Sequence, residues 1–150
     1  MKKLFLTLII SVVVTTTSFG QIIFYEDNPK KTELMNFINE WWRTPYKYGG
    51  ETKRGIDCSA FTGKLMNTVF DTKLPRTARE QYANSKRITK EELNYNDLVF
   101  FRSKNSSTWH VGVYLGDGWF VHSSSKYGVT FSNLNYGSYK NRFYGAGRVI

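Results

Sequence analysis

Hydrophobic positions change their period partway along the chain, and the change divides it into a helical half and a strand half. Leu34, Phe37, Ile38 and Trp41 recur at steps of three and four, after Asn28 as a cap and Pro29 in the first turn. That spacing predicts a helix over about 29–42. A second helix is predicted from Cys58 to about Phe70, with Phe61, Leu65 and Val69 on one face and Asp57 at the N-cap. Between the two, Pro45, Gly49, Gly50 and Gly55 predict an irregular loop from Thr44 to Gly55. A short third helix is expected from Thr77 to Ser85, after Leu74-Pro75-Arg76. From Asp97 onward the period becomes two. Asp97–Phe101, Thr108–Leu115, Trp119–Ser123, Gly128–Ser132 and Phe143–Ile150 read as strands, with a polar loop from Lys104 to Ser107. Helices followed by strands imply an α+β fold, with N-terminal helices packed on a mostly antiparallel sheet of about five or six strands.

The first twenty residues follow neither period. Lys2-Lys3 precede an apolar run from Leu4 to Val14, and Thr15-Thr16-Thr17-Ser18-Phe19-Gly20 follows, with Ser18 and Gly20 at the −3 and −1 positions of a cleavage site. This is the pattern of an export signal, so residues 1–20 are expected to be a signal peptide and 21–150 one domain with one core. The apolar run falls short of the ~20 residues needed to cross a bilayer. No cysteine follows it to carry an N-terminal lipid. A monomer in the periplasm or outside the cell, without a stable membrane anchor, is the expectation.

Charge narrows the partners. The 150-residue chain carries a net charge of +9, and +7 remains without Lys2 and Lys3. In an exported protein such an excess favours an anionic envelope. Nucleic acid is disfavoured because Lys and Arg are scattered rather than gathered in a stripe. The 10 Tyr, 11 Phe and 4 Trp suit both a core and a groove that grips a polymer.

Candidate chemistry centres on the one cysteine. Cys58 has no partner for an intramolecular disulfide, and the helix pattern places it at the first helical position. There backbone N–H groups and the helix dipole favour thiolate over thiol. The two histidines, His110 and His122, lie on neighbouring predicted strands joined through Gly116-Asp117-Gly118, so the turn decides whether they meet. A two-residue Asp117-Gly118 turn would set them on opposite faces. A three-residue loop with Gly118 in the left-handed region places Leu115 opposite Trp119 and both imidazoles on one face, with Gly112 leaving the space open. The three-residue loop is the expectation. It makes a Cys–His–His triad, with Cys58 as nucleophile, His110 as base and His122 orienting His110. Zinc held by Cys58, His110 and His122 is the competing reading. The spacing matches no zinc motif, so no metal and no cofactor is expected.

These segments resemble the NlpC family of papain-like cell-wall cysteine peptidases over roughly Trp41 to Ile150, and within it the short murein endopeptidases. The resemblance lies in Pro45-Tyr46-Lys47-Tyr48-Gly49-Gly50, Gly55-Ile56-Asp57-Cys58-Ser59-Ala60-Phe61, Leu74-Pro75-Arg76-Thr77 with Gln81, and Asn96-Asp97-Leu98-Val99-Phe100-Phe101. His110-Val111-Gly112-Val113-Tyr114-Leu115-Gly116 and Phe120-Val121-His122-Ser123-Ser124 complete it, in the same order. It implies a papain-like fold and hydrolysis of amide bonds in peptidoglycan stem peptides or crosslinks. It also implies an oxyanion site near Cys58 to which Tyr46 contributes, and substrate contacts from Asp57 and Ser59. Ala60 stands where the family usually has Gly, and the lipid-attachment cysteine of the nearest relatives is absent.

Plainer readings stand beside these. Tyr46 packs a loop, Asp57 only caps a helix, and Arg76 and Gln81 belong to a solvated helix face outside the site. An amidase or acyltransferase with the same triad, or a non-catalytic peptidoglycan-binding module, are the alternatives to a cysteine endopeptidase.

Overall fold

The structure, a computed structural model, describes residues 28–103 and 107–150. The signal predicted for residues 1–20 and residues 104–106 of the predicted polar loop lie outside the described residues.

Helix α1 (Pro29–Trp41) starts where Asn28 Oδ1 accepts from the Lys30 and Lys31 amides, and it buries Leu34, Phe37, Ile38 and Trp41. The segment predicted to be irregular holds a small antiparallel hairpin, β1 (Glu51–Thr52) and β2 (Gly55–Ile56). Helix α2 (Cys58–Phe70) follows at once, and Asp71, left-handed at φ 51°, ends it. The short α3 (Ala78–Ala83) carries a capping box in which Thr77 and Glu80 exchange hydrogen bonds, satisfying two amides that the helix start leaves open.

The remaining chain builds six strands: β3 (Lys86–Ile88), β4 (Leu98–Arg102), β5 (Trp109–Gly116), β6 (Trp119–Ser124), β7 (Gly128–Asn133) and, after helix α4 (Gly137–Arg142), β8 (Phe143–Arg148). They form one sheet in the order β3-β8-β4-β5-β6-β7, every pair antiparallel. The α+β fold expected from the change of period is therefore present. Strand alternation splits the sheet into two faces. Leu98, Phe100, Val111, Val113, Val121 and Val129 join α1 and α2 in the larger core. Val99, Phe101 and Phe120 point the other way and pack with Leu134 under Tyr139 of α4. Each fully buried Phe or Leu in these clusters contributes about 1.5–3 kcal/mol by leaving water.

Each sheet edge is protected in its own way. Arg43 and Thr44, just after α1, exchange backbone hydrogen bonds with Val129 on β7 at 3.1 and 3.0 Å. The opposite edge, β3, is three residues long with exposed Lys86 and Arg87, a short charged edge that resists pairing with another chain.

The turn between β5 and β6 corrects one expectation. Gly116 pairs with Trp119 across a two-residue Asp117-Gly118 turn, not Leu115 with Trp119 across a three-residue loop. Gly116, Asp117 and Gly118 all have positive φ (98°, 51° and 80°), which suits the tight hairpin turn and the bulge beside it. Leu115 is the extra residue: Tyr114 pairs with Phe120 and Val113 with Val121. The bulge restores the parity that a two-residue turn alone would lose. His110 and His122 share a face, as expected, by a different device.

Candidate active site

The segment before α2 is held from both sides. The Asp57 amide donates to the Gly50 carbonyl at 3.0 Å, and the Ile56 amide to the Pro45 carbonyl at 3.0 Å. The buried Ser123 hydroxyl on β6 donates to the Ile56 carbonyl at 2.8 Å. These bonds fix the end of β2 against the sheet and bring Tyr46 alongside Ile56 in a parallel bridge. Cys58 is the first residue of α2, as expected, and only 5% of it is exposed. That remnant faces a cleft of about 560 Å³ walled by Tyr46, Tyr48, Ser59, Arg76, Arg79 and Trp109. The amides of Cys58, Ser59 and Val111 all act on the sulfur, and Val111 is the residue after His110.

The thiol is nevertheless pushed up to about 11, first by burial and further by the Asp57 carboxylate. The thiolate expected at a helix N-terminus is thus not the resting form. Three N–H groups and the dipole do not offset removal of the sulfur from water.

The two imidazoles form a directed pair. His110 Nε2 lies 2.7 Å from His122 Nδ1, with the rings nearly perpendicular at 89°. His122 Nε2 continues to Ser132 Oγ on β7 at 2.9 Å. Gly112 makes room for this arrangement: a Cβ there would stand 2.6 Å from the Phe120 ring and 3.2 Å from His122 Cβ. Burial pushes His110 down to about 4, with Arg142 adding to it, and burial and His110 lower His122. Both rings are therefore neutral at neutral pH. With Nε2 of His110 taken up by His122, Nδ1 is the nitrogen left for the sulfur. No hydrogen bond joins the sulfur to either ring among the described residues.

Asp57 is more than a cap. Its Oδ1 accepts from the Ala60 amide at 2.8 Å and the Ser59 hydroxyl at 3.1 Å, and its Oδ2 from the Gly49 amide at 3.0 Å. Arg76 donates to both oxygens, at 3.1 and 2.8 Å, and to Ser59 Oγ at 3.2 Å. Against the opposing effect of its own burial, these partners, Arg76 foremost, hold the Asp57 carboxyl below its ordinary range. Arg76 also pairs with Glu51 on β1. Arg76 does keep a solvated face, with 41% of its side chain exposed, but leaving it out of the site was wrong, and placing Gln81 on a solvated face was wrong as well. Gln81 is fully buried, and its Nε2 donates to the carbonyls of Ser59 and Pro75 at 3.0 and 2.9 Å, tying the first turn of α2 to the chain before α3. No local pattern marks the partner of Arg76, 19 residues away, or that of Gln81, 22 residues away.

Tyr46 lines the cleft, and its phenol is pushed up to about 12, mainly by burial and then by Cys58 and Asp57, so it stays a donor. Ala60 is buried within the first turn without disturbing it. Among the described residues no cluster of three or more His, Cys, Asp and Glu is placed to hold a metal ion. No described helix is long and apolar enough to cross a membrane.

The chain is 49% identical over 102 residues to a probable endopeptidase NlpC homolog of Haemophilus influenzae, covering 68% of this chain and 54% of that protein. It is 38% identical over 120 residues to the murein DD-endopeptidase MepS/murein LD-carboxypeptidase of Escherichia coli, covering 80% and 63%. The chain thus spans between about half and two thirds of the length of these relatives. A lipoprotein-like NLP/P60 family structure from Staphylococcus aureus superposes with a TM-score of 0.72 at 29% identity, over 91% of this chain and 45% of that one. Residues 43–148, running from the end of α1 to the end of β8, match the NlpC/P60 family, and the chain belongs to it.

Proposed function

We propose that this protein is a cysteine endopeptidase that hydrolyses amide bonds in the stem peptides or crosslinks of peptidoglycan. The observation that carries this reading is a cysteine at a helix start, facing a cleft, with its sulfur on the amide next to His110 and His110 hydrogen-bonded to His122. The names of the relatives, a murein endopeptidase among them, support the substrate. The signal pattern in residues 1–20 and the basic charge support export and action in the periplasm or outside the cell.

The resting pair is thiol and neutral imidazole, so the first step is general-base catalysis. His110 Nδ1 takes the thiol proton as the sulfur attacks the scissile carbonyl carbon. The contact between them tightens when substrate closes the cleft, as is common for sites whose resting hydrogen bonds are long. Negative charge collects on the carbonyl oxygen, where backbone N–H groups at the start of α2 and the un-ionised Tyr46 phenol serve as donors. His110, now imidazolium, gives its Nδ1 proton to the leaving amine. Water, deprotonated by His110, cleaves the thioester, releases a carboxylate and restores the thiol. Ser59 and the Asp57–Arg76 pair form the cleft wall next to the sulfur and contact the stem peptide.

Incubating the protein with purified peptidoglycan and identifying the fragments by mass spectrometry tests this. New amino and carboxyl ends within stem peptides are expected from the wild type and none from Cys58→Ala. Release at the sugar–alanine bond would overturn it in favour of an amidase. Binding without fragments would leave a non-catalytic module.

A further inference from the structure

We propose that Ser132 is a positioning residue that sets the tautomers of both histidines, so that His110 offers an unprotonated Nδ1 to Cys58. The proposal rests on the hydrolase reading above and extends the imidazole pair by one hydroxyl.

The argument follows the protons. His122 is fully buried and neutral, so it carries one N–H, on Nδ1 or on Nε2. If Nδ1 holds it, His122 donates to His110 Nε2. The His110 proton then sits on Nδ1, the position that must accept from the thiol, and the base is blocked. If Nε2 holds it, His122 Nδ1 accepts from His110 Nε2–H and His110 Nδ1 is free to accept. The second arrangement needs an acceptor beyond His122 Nε2, because a buried N–H left unpaired is costly. Ser132 Oγ is that acceptor, at 2.9 Å.

The sheet register puts it there. Phe120 pairs with Ser132 and His122 with Thr130, so Ser132 is the diagonal neighbour of His122 on the same face. Ser132 accepts from His122 only if its own proton goes elsewhere, and the Tyr139 oxygen lies beside it, interacting with Ser132 and Ser124. The Tyr139 ring also stands edge-on to His122 at 5.1 Å, closing that side of the pair. The chain of donors therefore runs from His110 to His122 to Ser132, with the Tyr139 hydroxyl beside it.

The test reads the tautomers directly, by nitrogen NMR of protein with labelled histidine near neutral pH. Wild type is expected to show His110 and His122 both protonated on Nε2. In Ser132→Ala the His122 signal should move toward Nδ1 protonation, and kcat on peptidoglycan should fall roughly tenfold to hundredfold, the size of a lost buried hydrogen bond. KM should stay unchanged, and Ser132→Thr, which keeps the hydroxyl, should recover both signals. Circular dichroism with an unchanged melting midpoint separates the effect from unfolding. Nδ1 protonation of His122 in wild type would overturn the proposal, as would wild-type tautomers and kcat in a folded Ser132→Ala. The spectra need no substrate, so they decide the proposal even if no wall fragment is released.

Discussion

Replacing Arg76 with alanine tests whether the ion pair beside Cys58 carries stability as well as shape. The pair is asymmetric: 9% of the Asp57 side chain is exposed and 41% of the Arg76 side chain. Breaking a buried pair costs about 3–5 kcal/mol, whereas an exposed pair contributes about 1 kcal/mol or less. In Arg76→Ala the carboxylate keeps the Ala60 and Gly49 amides and the Ser59 hydroxyl, so it is not orphaned. A loss between those limits follows, about 1–3 kcal/mol, or roughly 3–10 °C in Tm for a domain of this size. The sign of the pH dependence is also set. The folded carboxyl titrates below its unfolded value near 3.8, so the pair's contribution is complete above that pH and is lost as pH falls through the lower folded value. Thermal melts followed by circular dichroism should show a gap between wild type and variant at pH 7 that closes under acid. Arg76→Lys, which keeps the charge but not the two-pronged geometry, should recover less than half of it. Equal melting points at neutral pH, or a gap indifferent to acid, would refute the reasoning.

Three further outcomes follow from the site. Gly112→Ala forces a Cβ to 2.6 Å from a fully buried Phe120 ring and 2.8 Å from the Val121 carbonyl, which costs about 1–3 kcal/mol of overpacking and displaces His122. Its peptidoglycan turnover should drop more steeply than its melting point, as paired assays would read. Gln81→Ala leaves the Ser59 and Pro75 carbonyls without their donor and opens a void, for about 2–4 kcal/mol in urea denaturation. Alkylation of Cys58 by iodoacetamide in the resting protein should rise with pH from 7 toward 10, because the thiol titrates at about 11 and His110 stays neutral down to about 4. A rate already level at neutral pH would mean a thiolate–imidazolium pair instead.

Much of this architecture is legible in the periods. Three- and four-residue steps locate α1 and α2 because one face of each is buried, and strict alternation from Trp109 to Leu115 places His110 on the face opposite Val111 and Val113. Short elements were not legible. Helix α4 buries none of its residues and so leaves no apolar stripe, yet it delivers Tyr139 to the histidines. Strands β1, β2 and β3 are two or three residues long, below any useful window. Within the site, Cys58 and the histidines stand out because their residue types are rare in this chain. Arg76, Gln81 and Ser132 do not, and their roles depend on partners 10 to 22 residues distant. The resting thiol was misjudged because helix position is local, while the burial that raises its pKa comes from the packed fold.

Leu115 also gives the hairpin a slack of one residue. Five residues separate Tyr114 from Phe120, where a regular ladder closed by a two-residue turn requires four. Shortening the chain by one anywhere from Leu115 to Gly118 should leave the imidazoles facing each other, since the remaining four close a plain hairpin on the same pairs. Deleting Val113 takes one residue from the same His110–His122 interval, so loss of the bulge should still hold the rings together, but only by turning Tyr114 into the aliphatic layer beneath α2. Two cuts of equal length, a few positions apart, should therefore separate a hairpin that keeps its aliphatic layer from one that forces a phenol into it.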